Sequence, residues 1–152
     1  MRKSWFSLLV LMLCIGMGLS AQTWSKDEAE IRGLIEKFSL MWTAEDGTTI
    51  FNQISATDNF MHITPQGPNN KATFPGWFAG VKANSPVVKH THQVRKIIIT
   101  NKVAYEFGTI EITMKNGTIS KNEVMNMFFK EPSGWRLMMS IPGKPIMDLL
   151  AP

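Results

Sequence analysis

"NKVAYEFGTIEITMKNGTISKNEVMNMFFKEPSGWRLMMS", residues 101–140, is the stretch that sets the fold. Runs rich in β-branched and aromatic residues are punctuated by Asn101-Lys102, Asn116-Gly117 and Pro132-Ser133-Gly134. Asn-Gly is the strongest short hairpin signal, because both residues tolerate positive φ. The preceding run "VVKHTHQVRKIII" (87–99) has the same strand character. Together they predict a four-strand antiparallel meander over 87–100, 103–115, 118–131 and 135–141. Three of these strands far exceed the usual length of about five or six residues. Strands this long twist and coil, with bulges.

Upstream the period changes from two to 3.6. Ser25 and Glu28 make a capping-box pattern, and Ile31, Leu34, Ile35, Phe38, Met41 and Trp42 make one apolar stripe, so 25–43 reads as an amphipathic helix. A shorter helix is expected over 48–55, a short strand in "NFMHIT" (59–64) and a turn in "QGPNN". A third helix starts near Thr73-Phe74-Pro75. Helices followed by a long curved sheet give an α+β fold. The expected form is a cone: a curved antiparallel sheet, the four-strand meander plus a short N-terminal strand, packed against about three N-terminal helices.

Residues 1–21 read as a secretory signal peptide. Arg2 and Lys3 precede an apolar run from Trp5 to Leu19, and Ser20-Ala21 supplies small residues for cleavage. The mature chain, 22–152, is then one domain located outside the cytoplasm, secreted or periplasmic. Cys14 leaves with the leader, so stability must come from the core rather than from disulfides. The formal charge of +4 falls to +2 when Arg2 and Lys3 leave. The remaining lysines are scattered, which speaks against nucleic acid as a partner. No membrane association is expected after signal removal.

The order of these segments resembles the nuclear transport factor 2-like superfamily, which includes the SnoaL-like polyketide cyclases and the ketosteroid isomerases. "IEKFSLMWTAEDGTTIFNQI" (35–54) looks like the opening helix pair and "NFMHITPQG" (59–67) like the first strand and turn. "NKVAYEFG" (101–108) and "EPSGWRLMMS" (131–140) look like later strand segments of that fold. The resemblance implies a cone with a pocket between sheet and helices, and frequent dimers. It implies no single activity, since this scaffold hosts several chemistries and non-catalytic modules. The isomerases pair a carboxylate base with a tyrosine and a protonated carboxylic acid. That set is not found here, because the first helix has no tyrosine and the only one, Tyr105, lies on a later strand. The Asp-Arg-Asp set of the related epoxide hydrolases has no match either.

His90 and His92 sit two apart, on one face of a strand. If Asn101-Lys102 and Asn116-Gly117 each close two-residue hairpins, His92 faces Glu111, and Glu111 faces Asn122. A single bulge would undo this register. On that register His90, His92, Glu111 and Asn122 form the polar part of an inner face. Tyr105, Phe107, Asn126, Phe128, Trp135 and Met139 form the rest. Three readings of the row stay open: solvated strand ends, an acid/base pair of His92 and Glu111, or a metal set of His90, His92 and Glu111. The last matches no strong metal motif, and no metal or cofactor is expected. His62 is either a plain strand residue or a further ligand contact. Glu106 shares a face with Ala104 and Gly108, where it is buried with a raised pKa, at a subunit interface, or in water.

The leading expectation is an exported protein that binds a small apolar or amphipathic molecule in an apolar pocket. The alternative is a lyase or isomerase moving protons with His92 and Glu111. A homodimer is expected through the outer sheet face, to which the same register assigns Ile110, Ile112, Met125, Met127, Phe129 and Met138.

Overall fold

A computed structural model gives the architecture, and the structure describes residues 24–56 and 58–143. The signal-peptide reading of 1–21, its cleavage after Ala21, and Cys14 lie outside those residues. Ser25 caps the first helix, α1 (Lys26–Met41), its hydroxyl accepting from the Glu28 N–H at 3.1 Å. The stripe Ile31, Leu34, Ile35, Phe38 and Met41 is buried, and Trp42, one residue past the helix, is buried with it. Helices α2 (Gly47–Ile54) and α3 (Phe74–Asn84) follow, with Pro75 in the first turn of α3, where its missing N–H is not needed. Among the described residues no helix is long and apolar enough to cross a membrane.

The strands are β1 (Met61–Thr64), β2 (Gly67–Asn70), β3 (Val87–Thr100), β4 (Val103–Met114), β5 (Ile119–Glu131) and β6 (Gly134–Pro142). They form one sheet in the order β2-β1-β6-β5-β4-β3. β1 runs parallel to β6 and every other pairing is antiparallel, so the sheet is mixed. Strand β2 stands where a plain turn was expected. Pro65-Gln66 alone makes the turn, and Gly67 at φ +120° leads back into a strand on the sheet edge. An edge strand tolerates Pro68, whose nitrogen has no hydrogen to donate.

Two local events reset the register. The Asn101-Lys102 turn closes as expected, with Thr100 opposite Val103 and Asn101 at φ +48°. A bulge between Val94 and Lys96 then makes Arg95 the extra residue, and beyond it His92 pairs with Ile110 while Thr91 pairs with Glu111. The second hairpin is one residue longer than Asn-Gly alone requires. The Met114 and Thr118 backbones bond at 2.9 Å around Lys115, Asn116 and Gly117, with Gly117 at φ +85°. This three-residue loop pairs Glu111 with Lys121 and Ile110 with Asn122. A one-residue slip moves every side chain to the other face. The expected His92–Glu111 and Glu111–Asn122 pairs are therefore both replaced.

The concave face packs on the helices. Ala104, Phe128, Trp135 and Leu137 join the α1 stripe, Phe51, Ile54, Phe74 and Phe78 in one core. The ends of the core are tied by polar contacts. Glu30 Oε1 accepts the Trp135 N–H at 2.8 Å, and Lys130 Nζ lies 2.7 Å from Asp27 Oδ1.

Candidate functional site

The inner rows of the sheet can be read strand by strand. One row runs Ile97, Glu106, Asn126, Ser140 and His62 across β3, β4, β5, β6 and β1. Four of its five members are polar, and all four are at most 2% exposed. Asn126 Nδ2 donates to Glu106 Oε2 at 2.7 Å, and His92 Nε2 lies 2.9 Å from Glu106 Oε1. His92 starts from the pairing level of Ile110 and reaches Glu106 across Gly108. Glycine is what permits this. A Cβ at Gly108 would overlap Glu106 Oε1 and lie 2.8 Å from His92 Nε2.

Above this layer a cavity of about 420 Å³ opens between the sheet, α1 and α3. Phe38 and Trp42 come from α1 and its end, Trp77 and Val81 from α3. His62 and Ser140 form part of the wall, and the β3–β5 side adds His90, Ile110, Ile112, Ser120, Asn122 and Val124. The rings contact one another: Trp42 stacks on His90 with centroids 5.8 Å apart and planes 6° apart, and Trp77 tilts over His62 at 5.0 Å. Both imidazoles resist protonation. Burial pushes His62 down to about 4, opposed weakly by the Ser140 backbone, and burial with nearby His92 holds His90 at about 4. His62 Nδ1, His90 Nδ1, Trp42 Nε1 and Ser140 Oγ are buried without hydrogen-bond partners among the described residues. Asn122 Nδ2 donates to Ser120 Oγ at 2.9 Å.

Of the residues named from the sequence, His62, His90 and Asn122 line this cavity. Asn126 and His92 lie on the same face but beneath the cavity, with Glu106, and Phe128 and Trp135 belong to the hydrophobic core. Glu111 is corrected to the outer face. It pairs with Lys121 at 2.9 Å, and that lysine holds its carboxyl below the ordinary range. The His92–Glu111 acid/base pair and the His90–His92–Glu111 metal set are therefore not assembled. Among the described residues no three His, Cys, Asp or Glu side chains are placed to hold a metal ion. Tyr105 and Phe107 also turn outward, because they pair with outward-facing Met127 and Met125. Met139 joins them, because a bulge between Met127 and Phe128 skips Met138 and puts Ser140 in the inner row. Ile110 and Ile112, expected outside, are inside for the same reason as Glu111. Trp42 and Trp77 were legible only as core positions. Their second role needed the position of the cavity, which no periodicity carries.

The outer face is polar at one end of β3–β5, where Thr91, Glu111, Lys121 and Glu123 lie, and apolar over the rest. Ile98, Tyr105, Met127, Met139 and Met61 form one continuous row. Phe107, Met125 and Ile141 form the next. Phe129, Ile98 and Met61 are exposed.

No family model and no curated protein matches the sequence. Solved structures do. A nuclear transport factor 2-like protein of unknown function from Prochlorococcus sp. NATL2A superposes with a TM-score of 0.63 at 20% identity, covering 83% of this chain and 99% of its own. One from Cytophaga hutchinsonii gives 0.65 at 12% identity, over 79% of this chain and 98% of its own. One from Shewanella oneidensis gives 0.61 at 15%, over 77% and 98%. At these identities the likeness is one of fold. With three helices packed on a curved six-strand mixed sheet, the chain has the cone-like nuclear transport factor 2-like fold.

Proposed function

We propose that this is an exported, SnoaL-like protein that binds a small, mostly apolar molecule in the cavity between the helices and the concave sheet face, and that it acts as a homodimer. The observation that carries the reading is the cavity of about 420 Å³ walled by Phe38, Trp42 and Trp77. Small-molecule sites have this size and character: a concave, aromatic and aliphatic wall with a few polar groups. His62, His90, Ser120, Asn122 and Ser140 are among those polar groups. Proton-transfer chemistry by His92 and Glu111 is set aside, since the two residues are on opposite faces of the sheet. The pair that does form, His92 with Glu106, is sealed below the cavity and has Asn126 as its third member. Two of its buried atoms, His92 Nδ1 and Asn126 Oδ1, have no partner among the described residues.

The homodimer reading rests on the outer rows of Tyr105, Met127, Met139 and their neighbours, an apolar surface larger than single scattered hydrophobes would make. The test of ligand binding is native mass spectrometry of the purified protein beside its Ile112→Trp variant, which fills the cavity from β4. A compound that co-purifies with the parent protein and is absent from the variant supports the reading. Identical ligand-free spectra from both, together with no change in tryptophan emission on adding apolar extracts of the host, would reject it.

A further inference from the structure

The wall of the cavity restricts what can enter it. Among the described residues that line it there is no Lys, Arg, Asp or Glu. Its two imidazoles are uncharged near neutral pH, since burial holds both at about 4. An ion that left water for this space would lose hydration and find no opposite charge among the described lining residues. An aromatic box can attract a cation through ring faces. Here one face of Trp42 is covered by the stacked His90 ring, and Trp77 and Phe78 meet Trp42 edge-on.

The polar groups of the wall suit a hydroxyl or an N–H. Ser120 Oγ already accepts from Asn122 Nδ2, so the Ser120 hydroxyl can donate and Asn122 Oδ1 can accept. On the neighbouring strands β1 and β6, His62 and Ser140, at 2% and 1% exposure, carry Nδ1 and Oγ atoms without partners among the described residues. A neutral imidazole offers one donor and one acceptor nitrogen. Apart from Thr64, Gln66 and Ser85, the remaining surface is mainly aromatic and aliphatic, which favours a ring that stacks or meets ring edges.

We infer that the cavity takes an uncharged, planar aromatic molecule bearing a hydroxyl or N–H group, and rejects ions of either sign. This rests on the ligand-binding reading above. The experiment is isothermal titration calorimetry at pH 7.5 with four compounds of matched size: 2-naphthol, 2-naphthoate, 2-naphthylmethylammonium and decahydro-2-naphthol. The expected result is 2-naphthol binding at least tenfold tighter than either ion and than the saturated alcohol, with the signal lost in Ile112→Trp. If that variant does not fold, Met114→Trp takes its place, and the ranking of the four compounds on the unaltered protein needs no variant. An ion or the saturated alcohol binding as tightly as 2-naphthol, with the signal lost in the cavity variant, overturns the ligand class and leaves the ligand-binding reading standing. No binding by any of the four overturns the class, and the mass-spectrometric comparison then decides the wider reading on its own.

Discussion

Acid should unfold this protein earlier than its surface carboxylates would. His62 and His90 are held at about 4 in the folded state and return to about 6.5 when unfolded. The unfolded chain therefore binds more protons between these values, so stability is full above pH 6.5 and is lost as pH falls toward 4. A shift of this size corresponds to about 3 kcal/mol per imidazole, and about 6 kcal/mol for the two. Near pH 5.3 the slope is roughly 2.5 kcal/mol per pH unit. That is a large share of a typical total of about 5–15 kcal/mol. The groups around the two imidazoles are Phe38, Trp42, Phe74, Trp77 and His92. The surface carboxylates Asp27 and Glu111 are lowered by Lys130 and Lys121, so their contribution is lost at more acid pH, below their unfolded values. The assay is urea unfolding followed by tryptophan emission at pH 7.5, 6.5, 5.5 and 4.5. The double variant His62→Gln/His90→Gln should flatten most of the slope. A parent protein equally stable at pH 6.5 and 4.5, or a double variant with the parent's slope, would refute the reasoning.

Further outcomes follow from the sheet. Gly108→Ala should cost about 2 kcal/mol or more in urea unfolding, because the added methyl overlaps the Glu106 carboxyl and crowds the Gln93 carbonyl and His92. Glu106→Ala should cost about 3 kcal/mol or more, since it strands Asn126 Nδ2 and His92 in the core. Glu111→Gln, which breaks only a solvent-screened pair with Lys121, should leave stability nearly unchanged; equal losses for the two would contradict their assigned faces. Met127→Glu, in the middle of the outer row, should give a monomer by light scattering where the parent is a dimer; a parent already monomeric at micromolar concentration ends the dimer proposal. N-terminal sequencing of the exported protein should begin at Gln22, and Met1 as the first residue would refute the signal reading.

The elements were legible because their periods are long and clean. The α1 stripe repeats over three turns, and β3 to β6 are bounded by turn residues at Asn101, Asn116 and Ser133. β2 was missed because Gly67, Pro68, Asn69 and Asn70 have no strand propensity and pair only by position beside β1. The candidate site was harder, since which face a residue occupies depends on parity. Asn116-Gly117 signals a hairpin but does not say whether two or three residues form its loop. Arg95 gives no local sign of being a bulge. Each event alone changes parity, and together they exchanged Glu111, Tyr105 and Phe107 for Glu106, Ile110 and Ile112. His90 and His92 kept their face because alternation within one uninterrupted stretch needs no partner strand. Met139 lost its place to Ser140 through the β6 bulge, again without a local signal.

The two outermost strands bear on solubility. An unpaired strand edge is a template for adding further chains, and β2 and β3 occupy the two ends of the sheet. β2 is four residues long and contains Pro68. β3 is long, but it is interrupted at Val88 and Arg95 and carries exposed Lys89, Arg95 and Lys96. Irregular spacing and like charge both oppose stacking of one β3 on another. The sheet thus discourages growth in its own plane, where association would be open-ended and fibrous. Its broad apolar surface lies perpendicular to that direction, where contact between two copies closes on itself and stops.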